Sequence, residues 1–401
     1  MDREKVCAEC TSNPHLSEWV RQRGQAGTCS ECGRNEVLCI PFSHFAYEVD
    51  RAIRDNTSPN TGPDYDEGER PEALIASIAK ISTDLAGKVI QFMERVDDEA
   101  REFYSYNLEF SSRLDRESYK RWKRLEEIIR HEARFFGNET RQLLEELFGG
   151  VLVFEGGRAV RSLENDEIYR ARLERADGQA DLIFKSPETE LRAPPRHAAT
   201  AGRMNAAGVR VFYGALRKDI AVAEIRPPLD SRVVVGQFLP TRRLKVLDVG
   251  GLQGTISFSE MFDPQFTERM RQLDLLLDLE LDISRPVQPY DEAATYLRTQ
   301  VVAEYLHHVL GLDGMAYRSA QIGRGGYGIN TEGRLDPTAR NVVLFGQAAL
   351  TQDERDETNP TPGLRFVPGS AEMLDITRIS FEFEKNMWAH YVDPQPDDED
   401  S

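Results

Sequence analysis

Two Cys-x2-Cys pairs, Cys7/Cys10 and Cys29/Cys32, stand eighteen residues apart, and with Cys39 they account for every cysteine of the chain. Each pair turns so that two sulfurs face one point, and two pairs complete a tetrahedral shell around one ion. Residues 1–40 are therefore expected to form a small zinc ribbon, with Cys7, Cys10, Cys29 and Cys32 holding a closed, structural Zn2+. Disulfides are the competing outcome. The start Met1-Asp2-Arg3-Glu4-Lys5 has no apolar run behind it, and the lack of an export signal weighs against an oxidising compartment. His15 could replace one sulfur, and Cys39, just before Pro41, reads as a buried bystander. The segment carries five basic residues against six acidic ones. That near balance does not single out nucleic acid, and leaves docking on the rest of the chain or on another protein open.

At 401 residues the chain exceeds what one hydrophobic core commonly serves, so two or three domains are expected. A formal net charge of -18 speaks against a protein whose main task is to hold a phosphate backbone. No run approaches the roughly 18 apolar residues of a membrane span, and the reading is a cytoplasmic protein. Residues 41–150 read as an all-α bundle: Leu74, Ile75, Ile78 and Ile81 recur at helical spacing, Trp122, Leu125, Ile128 and Ile129 do so again, and Asn138 looks like the cap of a last helix ending at Gly149-Gly150. From Val151 to about residue 385 the texture becomes α+β. Ile168–Leu173, Val209–Tyr213, Arg232–Leu239, Leu244–Val249, Met315–Ser319 and Ile376–Phe383 read as strands; Lys218–Ile225, Glu268–Leu279 and Glu292–Leu310 read as helices. The tail 386–401, rich in Pro and Asp, is expected to be disordered.

One stretch in that last domain suggests a reaction. Gly202-Arg203-Met204-Asn205 and Gly208 lead into an apolar run closing on Tyr213, and a helix then delivers Glu224 eleven residues later. Before it comes Glu167-Ile168-Tyr169-Arg170-Ala171-Arg172-Leu173; after it come Gly311 to Ser319 and then Asn341-Val342-Val343-Leu344-Phe345. In this order the pieces resemble the RES domain, named for Arg, Glu and Ser. The resemblance spans about residues 160–350 and implies a fold like that of the ADP-ribosyltransferases with NAD+ as substrate.

Cleaving the nicotinamide–ribose bond of NAD+ releases a neutral base from a cationic one, so no general acid is needed, in contrast to ordinary glycoside hydrolysis. One carboxylate suffices to hold a ribose hydroxyl and stabilise the oxocarbenium-like charge. The resemblance gives that role to Glu224. It makes Arg170 the favoured cation for the pyrophosphate, with Arg203 and Asn205 as further binding residues, Tyr213 as a flat surface for the base or ribose, and Ser319 as a hydrogen-bonding group. Taken bare, Glu224 reads as an exposed acid beside Arg226, Tyr213 as a core tyrosine, and Gly-Arg-x-Asn as a structural turn. Gly323–Gly328 fits G-x-G-x-x-G, but no opening helix follows, so it reads as a loop beside Ser319 rather than a dinucleotide motif.

RES proteins with a helical front domain exist, and that domain is similar to the HEPN superfamily, many of whose members are ribonucleases with an Arg-x4-6-His motif. Arg124 and His131 satisfy the pattern, but so do Arg192 and His197 in a proline-rich segment. A pattern met twice carries little, and the expectation is a solvated helix face. The leading reading is an NAD+-consuming enzyme with inorganic phosphate or water as acceptor and toxin-like NAD depletion as effect. A protein mono-ADP-ribosyltransferase is the alternative, and an interaction or RNA-processing protein with an inactive RES domain a third. A protein inhibitor, a second copy of the chain, or restraint by the front half are the partners to look for.

Overall fold

A computed structural model describes residues 4–61, 68–110, 115–132, 137–153, 159–252, 260–284, 292–319, 336, 338–355 and 361–379. At the front, β1 (Lys5–Cys7), β2 (Gln25–Gly27) and β3 (Val37–Pro41) form an antiparallel sheet with β3 in the centre, and α1 (Pro14–Arg23) lies between β1 and β2 in the chain. Helix α1, absent from the sequence reading, starts where Asn13 accepts the N–H groups of His15 and Leu16 and Pro14 needs no donor partner. The same Asn13 amide donates to the Ile78 carbonyl at 2.9 Å, and Thr11 donates to that of Ala79, so the cap also fastens the ribbon to its neighbour.

That neighbour consists of α2 (Phe42–Asn56), β4 (Thr57–Pro59), α3 (Pro71–Ala79), α4 (Thr83–Val96), α5 (Asp98–Phe103) and β5 (Leu108–Phe110). Phe42, Phe45, Ala46, Val49, Ala52 and Ile53 make one apolar stripe of α2, which packs on Leu85, Val89, Phe92 and Met93 of α4. The helical stretch continues with α6 (Asp115–Glu127), a π-helical turn at Ile128–Glu132, and α7 (Asn138–Phe148). These last helices pack mainly on two helices from much later in the chain.

The second half is built on β6 (Val160–Leu163), β7 (Ile168–Leu173), β8 (Val211–Ala215), β9 (Arg232–Pro240), β10 (Leu244–Asp248), β11 (Gly314–Arg318), β12 (Arg340–Phe345), β13 (Leu364–Phe366) and β14 (Glu372–Asp375). They form one mixed sheet in the order β13-β9-β7-β8-β12-β11-β10-β6, with β14 beside β13 on β9. Among the described strands only β10 and β11 pair in parallel; the long crossover such a pair requires contains α11 (Phe266–Ser284) and α12 (Glu292–His308). Helices α8 (Gln179–Lys185) and α9 (Pro187–Glu190) precede β8, and α10 (Lys218–Glu224) follows it.

Alternation along the strands gives the sheet two buried faces. Ile168, Phe212, Phe238 and Leu344 face one core with Ile183 and Leu191 of the α8–α9 region. Val211, Tyr213, Val343 and Tyr317 face the other, toward α11 and α12. This second core is continuous from Val6 to Phe345, so ribbon, helices and sheet share one cluster of buried side chains. The join is specific. Trp122 of α6 donates to Asp282 of α11 at 3.1 Å, Arg298 of α12 to Glu126 of α6 at 2.9 Å, and Tyr305 of α12 to Glu145 of α7 at 2.6 Å.

Three sequence expectations shift. The strand expected from Val209 starts at Val211, because Gly208 takes a positive φ of 82° and the Val209 N–H turns back to the Ala206 carbonyl. The last strand lies at Glu372–Asp375, paired with Arg232–Val235; residues 376–379 are not strand, and 380–383 fall outside the described residues. Short edge strands β6 and β13, too brief to show alternation, were not anticipated.

Candidate active site

Glu224 is the last residue of α10, where unpaired helix carbonyls disfavour a negative charge. Two donors hold it there: Ser319 Oγ at 3.1 Å and Asn341 Nδ2 at 3.0 Å, both to Oε2. Ser319 lies just past β11 and Asn341 is in β12; they are 3 % and 2 % exposed, whereas Glu224 is exposed. No described residue is hydrogen-bonded to Oε1. Next to Asn341 in register stands Tyr317, its hydroxyl pushed far up in pKa by burial and then by the charge of Glu224.

Tyr213 is on the same sheet face. Its hydroxyl donates to Asn205 Oδ1 at 2.9 Å and accepts the Met204 N–H at 3.1 Å, and burial pushes its pKa up to about 12. Asn205 in turn reaches the carbonyls of Thr200, Ala206 and Val209 through Nδ2, while Gln300 of α12 donates to those of Gly202 and Asn205. Gly202 is required: a Cβ would come within 2.7 Å of Asn205 Oδ1 and 2.9 Å of the Tyr213 hydroxyl. Arg203 donates to the Ile283 carbonyl, and its guanidinium carbon lies 5.8 Å from the Tyr296 ring centroid. The Gly-Arg-Met-Asn run is thus a turn pinned between Tyr213, α11 and α12, and it fixes Asn205 as a structural link.

Arg170 is the third residue of β7. It pairs with Gly236 on the face of Ile168 and Phe238, while Tyr169 pairs with Ala215 on the face of Tyr213 and Asn341. Its guanidinium carbon lies 5.0 Å from the Phe212 ring centroid, and Nη1 is buried with no partner among the described residues. Burial, with Arg172 adding, pulls its pKa down to about 9. Alternation therefore places Arg170 on the sheet face opposite Tyr213, although the charge of the guanidinium still acts on the Tyr213 hydroxyl; Arg203 lies on the Tyr213 side, against α11 and α12.

Arg318, the residue before Ser319, donates from its backbone N–H at 3.0 Å and from Nε at 2.9 Å to Glu280 of α11, which is 2 % exposed. That pair anchors the strand end from which Ser319 projects. Asn341, Tyr317 and Glu280 were missed as site residues. The one signal was a polar residue opening the otherwise apolar run Asn341–Phe345.

The RES domain family matches residues 172–366, a span that includes Arg203, Asn205, Tyr213, Glu224, Ser319 and Asn341. Those residues are a RES domain. Arg170 lies two positions before the matched span. No curated protein matches the chain. Among solved structures it is similar to a chain of the M. tuberculosis MbcT–MbcA toxin–antitoxin complex, with 12 % identity, 54 % of this chain and 87 % of that chain covered, and a TM-score of 0.26. The Gly323–Gly328 run of the RES domain lies outside the described residues.

Outside the RES domain, the sulfurs of Cys7, Cys10, Cys29 and Cys32 all lie within 4.8 Å of one another. Cys7–Cys10, Cys7–Cys32 and Cys10–Cys29 are each 3.6 Å apart; a tetrahedral ion with Zn–S bonds of about 2.3 Å would set them about 3.8 Å apart. The group therefore fits one metal ion. Cys39, buried beside it, approaches the Gly27 carbonyl at 3.9 Å and His15 is not in the group. Arg124 is bound to Glu132 at 2.7 Å and Glu139 at 2.8 Å, and His131 is exposed on the π-helical turn. Between ribbon and α2 lies a concavity of about 600 Å³ lined by Trp19, Arg23, His44 and Tyr47 among others; Glu224 is not part of it. Among the described residues no helix is long and apolar enough to cross a membrane.

Proposed function

We propose that the RES domain consumes NAD+ by breaking the nicotinamide–ribose bond and passing the ADP-ribosyl unit to inorganic phosphate or water. The observation that carries this reading is the Glu224 carboxylate, held through one oxygen by buried Ser319 and Asn341 and open at the other, inside the matched RES span. In the reaction the C–N bond breaks, its electron pair neutralises the pyridinium, and C1′ of the ribose becomes electron-poor. Glu224 Oε1 accepts from a ribose hydroxyl and its charge stabilises C1′ more in the transition state than in the ground state. An oxygen of phosphate or water then bonds to C1′ and gives up its proton to solvent.

Ser319 keeps the carboxylate aimed, and the Tyr213 ring offers a flat wall on the same face. Arg203, on the Tyr213 side of the sheet, and Arg170 are the candidates for the pyrophosphate. Arg170 would have to act from the far face, by drawing an anion to a guanidinium that burial leaves poorly compensated. Toxin-like NAD depletion is the biological effect we infer. A metal ion at Cys7, Cys10, Cys29 and Cys32, for which Zn2+ is the fitting choice, would supply a cross-link of the ribbon and no chemistry at Glu224. The test is nicotinamide release from NAD+ by the full chain, with and without millimolar phosphate, beside Glu224→Gln. Wild-type release that Glu224→Gln abolishes supports the reading, phosphate dependence assigns the acceptor, and a wild type that releases nothing under either condition refutes it.

A further inference from the structure

Asn341 is 2 % exposed and lies in β12 between Tyr317 of β11 and Ala215 of β8. Its Nδ2 donates to Glu224 Oε2 at 3.0 Å. That bond fixes the orientation of the amide, because a carboxylate accepts and offers nothing to a carbonyl; Oδ1 must point the other way. Oδ1 is buried and has no partner among the described residues. A buried amide oxygen with no donor is unfavourable, and such groups are rare unless function retains them.

The two observations combine. Glu224 Oε2 is already taken by Ser319 and Asn341, so the site presents two acceptors, Glu224 Oε1 and Asn341 Oδ1, linked through one hydrogen bond. Two acceptors joined through one amide disfavour phosphate and carboxylate and favour hydroxyl or N–H donors. A ribose brings two adjacent hydroxyls. Oδ1 is buried, so a hydroxyl reaches it only after a side-chain shift, and the bond then formed satisfies an acceptor that has no partner among the described residues.

We propose that Asn341 is a substrate-binding residue of the RES domain: Nδ2 orients Glu224, and Oδ1 accepts from one of the two hydroxyls of the ribose that carries the leaving base, while Glu224 Oε1 takes the other. This rests on the reading of NAD+ as substrate. It adds a specificity device, at a buried residue of β12, that distinguishes ribose from its deoxy counterparts.

The experiment compares NAD+ with its two analogues lacking the 2′- or the 3′-hydroxyl on the nicotinamide ribose, using wild type and Asn341→Ala, by kcat/KM for nicotinamide release. Wild type is expected to prefer NAD+ over one analogue by about tenfold through this contact, the net worth of one hydrogen bond of this kind, and Asn341→Ala to lose that preference while keeping the other. An equal loss by Asn341→Ala on all three substrates, or a wild type indifferent to both hydroxyls, would overturn the proposal and leave Asn341 a structural residue. Should Asn341→Ala not fold, Asn341→Asp keeps the shape but sets a second carboxylate against Glu224; the acidic limb of its pH profile then moves up, and an unmoved limb counts against the contact. Calorimetric binding of ADP-ribose separates this proposal from the reaction itself. Binding weakened about tenfold by Asn341→Ala in a chain that releases no nicotinamide upholds the residue's role and refutes the chemistry; neither binding nor release overturns both.

Discussion

Arg298 of α12 donates to Glu126 of α6 at 2.9 Å, and its guanidinium carbon lies 4.7 Å from the Trp122 ring centroid. With Asp282 of α11 on its other side, this one arginine ties a helix of the front half to both crossover helices of the RES domain. Trp122, 3 % exposed, fills the same join. Trp122→Ala is expected to cost about 3–5 kcal/mol, the usual range for an emptied aromatic site, read as a lowered denaturant midpoint. Because the core runs unbroken from Val6 to Phe345, the loss should appear in a single transition reported alike by front-half and RES-half probes. Two separated transitions would contradict a shared core. The same continuity means that residues 151–401 alone would expose the apolar faces of α11 and α12, so restraint of the active site is better tested with point variants at this join.

The join should also be sensitive to acid. Burial pushes the Glu126 carboxyl up, but Arg298, with Lys123 and Arg130, more than offsets this and holds it below the usual carboxylate range. A depressed folded-state pKa gives stability that is fully present above the unfolded value and lost as pH falls through the folded one. Glu126→Gln should therefore be less stable than wild type at neutral pH, and the difference should close as pH falls below about 4. Thermal midpoints of both proteins from pH 7 to pH 3 check this. A gap that stays constant would show that the charge of Glu126 adds nothing.

Much of this was legible in the residue order. The spacing of Tyr213 and Glu224, and Ser319 closing a strand, identified groups that the fold puts on one face, because strand-to-helix distances are local and the sheet register then does the rest. Arg170 shows the limit. Its strand was read correctly, but the face it presents depends on how β7 pairs with β8 and β9, which no local pattern records. Nor does any local pattern record that the Asn205 amide meets three loop carbonyls and the Tyr213 hydroxyl. The packing of α6 and α7 on helices that follow more than a hundred residues later was equally hidden, since an apolar stripe on a helix does not name its partner.

Ser319 offers a graded test of the reaction. Its hydroxyl is one of two donors on Glu224 Oε2, so Ser319→Ala leaves the carboxylate charged but less firmly aimed. A hydrogen bond to a charged group contributes about 1.5–3 kcal/mol, which is roughly tenfold to a hundredfold in rate. Ser319→Ala should thus lower kcat for nicotinamide release by that factor, while Glu224→Gln removes far more. Equal losses in the two variants would mean that Ser319 itself, rather than its hold on Glu224, is needed for the chemistry.

The cysteine group predicts which thiol matters. Three sulfur pairs at 3.6 Å match the edges of one metal-centred tetrahedron, and the second knuckle is tied to α4 by Glu31 and Lys88 at 2.8 Å. One zinc ion per chain is expected by elemental analysis of protein purified without chelator. Cys10→Ser should lose the ion and loosen the ribbon, with a lower thermal midpoint, whereas Cys39→Ser should keep one ion because its sulfur lies outside the group. Chelation of the wild type should reproduce the Cys10→Ser phenotype, since a structural site of this kind contributes its binding energy to folding. Full zinc content in Cys10→Ser, or its loss in Cys39→Ser, would refute the assignment of these four ligands.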